Sequence, residues 1–475
     1  MPISSLPSSL GVGDFYESAY EFVDLLKKSN IKIWQLLPLN PVGYGSSPYQ
    51  SECGSALDTC YISLKWLKEH KYLSKYEDFN KDKNLVDFYN ARLHKEKYLK
   101  EAFKKTKDLK SKEFLDFIEK NKWCVNYAKF KVLFEKNNYL DWDKWDKEEK
   151  YAAYSYSKYD FSKYKNEILF IEWCQFIAYK QFFELKKYAN ENGILLMGDI
   201  PFYVGFNSSD CWSNQDEFLL DEKDHPTLVA GVPPDYFSET GQRWGNPIYD
   251  WKYMERDGFT FWINRIKYSL SIFDILRIDH FRAFDTYYTI KSSEPTAING
   301  KWNEAPGRAL FKLLEDEGLT KNIIAEDLGD LVPSVLELRD KFNFKGMNVF
   351  EFNVFNKNFI TTKNQIIYTG THDNDTVMGW YNSLKEEEKE LLDIIFRVNK
   401  IEGKDILEKI LKFVLNSECE YAILPIQDFL GLDTSSRINT PGSFGSPNWE
   451  FRLISFDEFK NKIEYISSLI KESNR

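Results

Sequence analysis

Two hydrophobic patterns alternate along most of the 475-residue chain. Short apolar runs, typical of buried strands, are separated by stretches in which apolar residues recur every three or four positions, typical of amphipathic helices. One such helical face, formed by Phe259, Trp262 and Ile266, precedes the fourth run. Eight runs are predicted as strands: residues 31–39, 61–64, 194–200, 275–281, 323–329, 346–352, 365–373 and 421–429.

This alternation of strands and helices predicts an α/β fold. Parallel strands need a long crossover connection, usually a helix, so strands separated by helical patterns belong to a parallel sheet. Eight such units favour a closed (β/α)8 TIM barrel with helical and loop insertions between its strands. An open doubly wound sheet is the alternative. Residues 11–16 (GVGDFY) do not support it, because they follow no predicted strand and lack the third glycine of a dinucleotide-binding fingerprint.

Two segments are too long for the connections of a minimal barrel. Residues 66–190 are rich in Lys, Tyr, Trp and Glu and are predicted as a mainly helical insertion after the second strand. Residues 201–257 are rich in Pro, Gly and aromatic residues and are predicted as a loop insertion over the active site, since long loops in compact domains are usually functional. We therefore expect the start of the barrel, with strands 1 and 2, in residues 1–65 and its remainder in residues 191–475.

Charge narrows the class of partner. The formal net charge is −10, and acidic and basic residues are interspersed, without the basic face or tail that nucleic acids select. The N-terminus lacks a basic segment followed by an apolar one, and no apolar run approaches the roughly 18 residues that span a bilayer. We therefore expect a cytoplasmic protein that binds neither nucleic acid nor membranes, and this balance suits an uncharged substrate.

Cysteines and aromatic residues add two further constraints. The 6 cysteines form no CxxC pair and have no histidines at metal-ligand spacing, so we expect reduced thiols and no structural metal. Aromatic residues make up 17% of the chain, which suits a protein that stacks flat ligands. A core rich in Phe and Tyr accounts for most of them.

Ionisable residues follow several predicted strands at the point where these strands end. The acidic ones are Asp199, Asp279, Glu326, Asp327, Asp373 and Asp375. In a (β/α)8 barrel the carboxyl ends of the strands form the active-site face. Arg277 lies two residues before Asp279 and therefore points the same way. A salt bridge explains one charged strand end, but three converging ends are costly to bury and are typical of a site of chemistry.

Carboxylates grouped in this way are typical of enzymes that cleave glycosidic bonds. One carboxylate attacks the anomeric carbon or activates water. The other holds a proton at neutral pH, because burial and nearby negative charge raise its pKa. A third acid can hold sugar hydroxyls and stabilise the oxocarbenium-like transition state. The acids thus predict a glycosidase-like barrel, and they leave the role of each acid open.

Four motifs give the chain a resemblance to a known family. They are residues 231–251 (GVPPDYFSETGQRWGNPIYDW), 277–284 (RIDHFRAF), 325–329 (AEDLG) and 369–376 (TGTHDNDT). Together they resemble glycosyl hydrolase family 77, the amylomaltases or 4-α-glucanotransferases. RIDHF alone is shared with amylase-like barrels, whereas the first motif is much more specific. Further matches run along the chain, at residues 6–15, 35–51, 198–204, 305–311 and 437–442.

The resemblance implies a role for each catalytic residue. Asp279 is the expected nucleophile, Glu326 the general acid and then base, and Asp373 the stabiliser of the transition state. Arg277 is expected to hold Asp279 ionised and oriented through charge-assisted hydrogen bonds. The family retains anomeric configuration, so the carboxyl groups of Asp279 and Glu326 are expected to lie about 5–5.5 Å apart.

The same resemblance implies a set of sugar-binding residues, in which aromatic rings stack on sugar rings and polar groups contact hydroxyls. They are Tyr44, Asp235, Tyr236, Phe237, Gln242, Trp244, Asn246, His280, His372 and Asn439. The loop at residues 235–245 is expected to reach over the acceptor side and to favour glucan over water. The chain departs from the family pattern at Ala283, where a glycine is expected, and at residues 443–449, and neither departure touches the three acids.

The implied activity is that of a 4-α-glucanotransferase in maltose use or glycogen turnover. Its expected partners are maltooligosaccharides, glucose and α-1,4-glucans, and it is expected to need no cofactor or metal, because two carboxylates suffice for the chemistry. An α-amylase-type hydrolase is the nearest alternative, and residues 231–251 argue against it. A non-catalytic glycan-binding barrel is the other, and it predicts the loss of an acid, whereas Asp279, Glu326 and Asp373 are all present.

Overall fold

The computed structural model describes residues 1–43, 45–234, 238–329, 331–356 and 359–475. These residues form eleven strands and eighteen α-helices. The strands are β1 Ile33–Gln35, β2 Leu195–Ile200, β3 Leu228–Val232, β4 Gln242–Pro247, β5 Ile275–Ile278, β6 Thr286–Lys291, β7 Lys301–Glu304, β8 Ile323–Ala325, β9 Gly346–Val349, β10 Gln365–Tyr368 and β11 Tyr421–Ile423.

Side-chain caps begin several of the helices, as at Ser63, which accepts a hydrogen bond from the Trp66 amide, and Asp405, which accepts one from the Glu408 amide. The helices are α1 Glu17–Lys28, α2 Leu64–Glu69, α3 Phe88–Lys105, α4 Lys112–Lys120, α5 Lys122–Lys136, α6 Lys147–Lys150, α7 Lys165–Glu191, α8 Ser209–Trp212, α9 Trp251–Asp257, α10 Thr260–Ile272, α11 Gly307–Asp316, α12 Pro333–Lys341, α13 Phe350–Asn353, α14 Val377–Ser383, α15 Glu386–Val398, α16 Ile406–Leu415, α17 Ile426–Leu430 and α18 Asp457–Glu472. Within the described ranges no helix is long and apolar enough to cross a membrane.

Seven parallel strands follow one another in chain order. One sheet has the order β1-β2-β5-β8 and another the order β9-β10-β11, and a parallel bridge between Ile324 and Lys345 connects the two. An apolar cluster takes Met197 from β2, Ile275 from β5 and Ile366 from β10, with partners from the other parallel strands. Strands connected by helices around a shared apolar interior confirm the α/β class and are the arrangement of a barrel-type fold.

The predicted strand at residues 61–64 is wrong. The chain there forms a short 3₁₀ helix, Thr59–Tyr61, followed directly by α2. The side chain of Asp58 accepts a hydrogen bond from the Cys60 amide, and Ser63 caps the next helix. Local capping therefore overrides the apolar run, and residues 1–65 contribute one parallel strand instead of the two expected.

The segment predicted as a loop, residues 201–257, contains strands β3 and β4 and the short helices α8 and α9. These strands join β6 and β7 in an antiparallel sheet of order β4-β3-β6-β7, in which Val229 pairs with Ile290. Residues 66–190 carry most of α2, all of α3–α6 and all but the last residue of α7. The longest of these helices, α7, buries Phe182 against Phe15 and Phe273, and so packs this helical segment on the outside of the parallel strands.

Candidate active site

The end of β5 brings together a buried arginine and two carboxylates. Asp199 on β2 and Arg277 on β5 are partners in the parallel register, so their side chains lie side by side. Arg277 Nη1 donates to Asp199 Oδ2 at 2.7 Å and to Asp279 Oδ1 at 3.0 Å. Arg277 is almost fully buried, and two carboxylates offset the cost of removing its charge from water. The nucleophile predicted from the sequence is therefore held by the predicted arginine.

Glu326 follows the neighbouring strand, β8, and is tied to the residue after Asp279. Its carboxylate accepts hydrogen bonds from the His280 amide at 2.8 Å and from the Leu328 amide at 3.1 Å. His280 has a left-handed backbone with φ of 51°, an uncommon conformation for a residue with a side chain. This turn aims the His280 amide at Glu326 and brings the two predicted catalytic acids together.

The surroundings of the two acids raise their pKa values to different extents. Burial raises the pKa of Glu326 to about 8, and the charge of Asp279 adds to this while Arg277 opposes it. Burial also raises the pKa of Asp279, to about 6, with Arg277 opposing and Asp199 reinforcing the shift. At neutral pH Glu326 therefore holds the proton and Asp279 is ionised, which is the division of labour that a retaining mechanism needs.

Asp373 lies on the segment that follows β10. Asn439 Nδ2 donates to Asp373 Oδ1 at 2.6 Å, and His372 Nε2 lies 3.5 Å from Asp373 Oδ2. Arg437 donates to the Asp373 carbonyl, so the segment is fixed at its backbone as well. The side chain of Asp373 remains 47% exposed. It is thus accessible to a ligand while its position is fixed, and three predicted residues, Asp373, His372 and Asn439, lie together.

Asp373 and His372 form one wall of the site. Two further residues, which were not selected from the sequence, complete it. Tyr49 Oη donates to Asp199 Oδ2 at 2.7 Å, and its ring stacks on that of His372 with centroids 5.2 Å apart. Trp449 lies against the same histidine at 5.6 Å. Tyr49 belongs to the motif at residues 35–51, in which Tyr44 was the tyrosine selected. The buried Asp199 needs a hydrogen-bond donor, and this need was the signal that could have pointed to Tyr49.

A second wall of the site carries Trp244 and His280. Trp244 Nε1 donates to Gln242 Oε1 at 3.1 Å, and its indole meets the His280 ring edge to face at 5.0 Å. Burial lowers the pKa of His280 to about 4, so its imidazole is neutral. Its Nε2 atom and the Tyr203 hydroxyl have no hydrogen-bond partner in the part of the chain that the structure describes. Predicted residues Gln242, Trp244 and His280 therefore form a second, partly aromatic wall.

The remaining predicted residues have different positions. Asn246 is buried, and its side-chain Nδ2 donates to the Val204 carbonyl at 2.9 Å, so it connects β4 to the segment after β2. Its contact with sugar stays a prediction. Tyr44, Asp235, Tyr236 and Phe237 lie outside the described residues.

Open space borders this group of side chains. A cleft is lined by Arg277, Tyr368, His372 and Asn374, among others. A second, smaller space is lined by Tyr49, Asp199 and Tyr203, among others. No group of His, Cys, Asp or Glu in the described ranges is arranged to hold a metal ion. The arrangement supplies an ionised acid, a protonated acid and an accessible third acid beside space for a ligand.

Comparisons with known proteins agree with this chemistry. Residues 1–456 match the family model described as 4-alpha-glucanotransferase. The chain is 40% identical to the 4-alpha-glucanotransferase of Clostridium butyricum over 98% of both chains, and 39% identical to that of Thermus thermophilus over 95% of this chain and 93% of the relative. The structure resembles that of amylomaltase from Streptococcus agalactiae in complex with acarbose, with a TM-score of 0.93 and 33% identity over 100% of this chain and 98% of that one.

Proposed function

The chain belongs to glycosyl hydrolase family 77, the 4-alpha-glucanotransferases, and we propose that its transfer reaction is carried by Asp279, Glu326 and Asp373. It is a transferase that moves α-1,4-linked glucosyl and maltosyl segments from one maltooligosaccharide to another or to glucose. The observation that carries the assignment of residues is the hydrogen bond from the His280 amide to Glu326, because it sets the proton-holding acid beside the residue that follows the ionised one.

The first half of the reaction forms a covalent intermediate. Asp279 attacks the anomeric carbon of the donor while Glu326 gives its proton to the oxygen of the leaving glucan. The raised pKa of Glu326 keeps this proton available at neutral pH. Arg277 holds one oxygen of Asp279 at 3.0 Å and keeps that carboxylate ionised and oriented for attack.

The second half reverses the roles. Glu326, now ionised, takes the proton from the 4-hydroxyl of an acceptor glucan, whose oxygen attacks the anomeric carbon and releases Asp279. Two inversions at the same carbon restore its configuration. Asp373 acts in both halves, since its exposed carboxylate grips ring hydroxyls of the transferred sugar and its charge favours the oxocarbenium-like transition state.

The two walls are assigned to donor and acceptor. Glu326 must reach the oxygen of the leaving or incoming glucan, so the wall of Gln242, Trp244 and His280 takes the acceptor side. The transferred sugar then lies against the wall of Tyr49, His372 and Asp373. α-Glucan oligosaccharides are the proposed substrates, and the acarbose complex of the Streptococcus agalactiae amylomaltase supports this choice.

Incubation of the purified protein with maltotriose tests the proposal. Transfer produces glucose together with maltopentaose and longer chains, and leaves the total concentration of reducing ends constant. The same reaction with D279N is expected to yield none of these products. A steady rise in reducing ends would indicate hydrolysis with water as acceptor and would contradict the proposed transfer.

A further inference from the structure

A second group of acids lies at the ends of β9, β10 and β11. Glu351 follows β9, Asp375 follows β10, and Asp428 lies in α17, which follows β11. Glu351 is 9% and Asp428 1% exposed, so both are buried. Thr369 Oγ1 and the Val377 amide donate to Asp428, and Thr434 Oγ1 donates to Asp375. The proposed reaction uses none of these three carboxylates.

Glu351 is connected to the segment that carries Asp373. Its Oε2 accepts a hydrogen bond from Asn374 Nδ2 at 3.1 Å. Asn374 Oδ1 in turn accepts from both the amide and the hydroxyl of Thr371 at 2.9 Å. The Asp373 amide donates to the same Thr371 hydroxyl at 3.3 Å. These bonds close residues 371–374 into a turn, and Asn374 anchors that turn to Glu351.

We propose that Glu351 is a positioning residue for the transfer reaction, which acts through Asn374 to hold the turn that presents Asp373 to the transferred sugar. This inference rests on the proposed role of Asp373. The backbone supports the same contact, because the Glu351 amide donates to the Thr369 carbonyl at 3.2 Å. Gly370 leaves room for the Glu351 side chain, since a Cβ atom at position 370 would lie 2.7 Å from Glu351 Oε1.

The charge state of Glu351 suits this role. Burial raises the pKa of Glu351 to about 9, and the charges of Asp428 on α17 and Asp375 after β10 add to that shift. The hydrogen bond from Asn374 and the charge of Arg437, which follows the 3₁₀ helix Thr434–Ser436, oppose it. Glu351 is therefore a neutral acid at pH 7, and a glutamine can replace it in shape and in hydrogen-bond acceptance.

The test compares E351Q, which keeps a neutral acceptor for Asn374, with E351M, which removes it. With maltotriose as donor and acceptor, E351Q is expected to keep kcat within about 3-fold of wild type. E351M is expected to lower kcat about 10- to 100-fold with little change in KM, because a displaced Asp373 fails in the transition state more than in the ground state. A wild-type kcat for E351M would overturn the proposal.

A double-mutant cycle separates positioning from general damage. In a D373N background, with α-glucosyl fluoride as the reactive donor, E351M is expected to change the residual rate less than about 2-fold. The reason is that the Asp373 carboxylate, which Glu351 positions, is already absent. An equal loss in both backgrounds would show that Glu351 acts independently of Asp373 and would overturn the inference. If E351M does not fold, N374A breaks the same connection from the other side, with the same two outcomes.

E217M is the matched control. Glu217 is also buried, burial raises its pKa to about 8, and its Oε2 lacks a hydrogen-bond partner among the described residues. It lies in the 3₁₀ helix Gln215–Glu217, outside the walls of the site. E217M is expected to leave kcat unchanged, and a loss equal to that of E351M would overturn the positioning role. An inactive wild type would instead contradict the proposed function.

Discussion

Two groups of buried acids lie at the ends of the parallel strands, and they differ in the partners that hold them. In the first group, at the ends of β2, β5 and β8, Arg277 bridges Asp199 and Asp279. In the second, at the ends of β9, β10 and β11, the hydrogen bonds to Glu351 and Asp428 come from Asn374, Thr369 and a backbone amide. The buried cation opposes the rise that burial causes in the pKa of Asp279, whereas Glu351, which accepts from the neutral side-chain amide of Asn374, has its pKa raised to about 9 and is protonated at pH 7.

The largest contrast is expected between a matched pair of Asp-to-Asn variants. D279N removes the proposed nucleophile and is expected to lower kcat for maltotriose disproportionation by about 10⁴-fold or more. D428N removes a charge that contacts Thr369 and Val377 and is expected to lower the melting temperature while kcat stays within about 10-fold of wild type. Glucose release and thermal unfolding measure the two effects. Equal losses of kcat would erase the distinction between the groups.

Removing the cation should make the first group resemble the second. R277M leaves Asp199 and Asp279 without their shared partner, which is expected to raise the pKa of Asp279 and to lower kcat about 10²- to 10³-fold. Breaking a buried ion pair also costs about 3–5 kcal/mol of the free energy of unfolding. The pH dependence of kcat/KM, together with urea unfolding, measures both. An unchanged acid limb in R277M would contradict the role given to the arginine.

The two groups should also differ in the pH dependence of the reaction. Activity requires ionised Asp279, so kcat/KM should fall as the pH drops through about 6, and it requires protonated Glu326, so it should fall as the pH rises through about 8. With α-glucosyl fluoride, whose leaving group needs no proton, kcat/KM of the wild type for fluoride release should show only the acid limb, and E326Q should show the same profile. With maltotriose, E351Q should retain both limbs. Loss of the alkaline limb in E351Q would place Glu351 in the chemistry.

The smallest expected effect is on stability. The pKa of Glu351 is raised in the folded protein, so the folded state binds more protons than the unfolded state, and wild-type stability falls as the pH rises from about 5 to about 9. E351Q carries no such proton and should gain melting temperature relative to wild type over that interval. Thermal unfolding at several pH values tests this. A constant difference between the two proteins would mean that Glu351 is already ionised.

The contrast between the groups also shows what the sequence can predict. Asp279, Glu326 and Asp373 follow apolar runs, and strand ends of a parallel sheet meet at one face, so their convergence was predictable. Tyr49 and Glu351 were not chosen, because their value depends on which side chains tertiary packing brings beside them. Tyr49 is tied to the site by its hydrogen bond to Asp199, and Glu351 by the hydrogen bond that it accepts from Asn374.

The errors in the predicted strands have a local cause. Residues 61–64 have the composition of a strand, but side-chain caps from Asp58 and Ser63 stabilise helical turns on both sides of the run. Residues 201–257 were predicted as loop because Pro and Gly residues interrupt the hydrophobic pattern of β3 and β4. In the structure β3 pairs with β4 and also with β6, which lies more than fifty positions further along the chain. Pairing at such separations leaves little signal in either segment alone.

The most direct test of the account is to trap the glycosyl-enzyme. E326Q is treated with α-glucosyl fluoride, which transfers its sugar without an acid but leaves the variant without a base to activate an acceptor, and the digested protein is then analysed by mass spectrometry. A glucosyl adduct is expected on the peptide that contains Asp279, and no adduct is expected when D279N is added. An adduct on the peptide that contains Asp373, or fluoride release at the wild-type rate with no adduct, would contradict it.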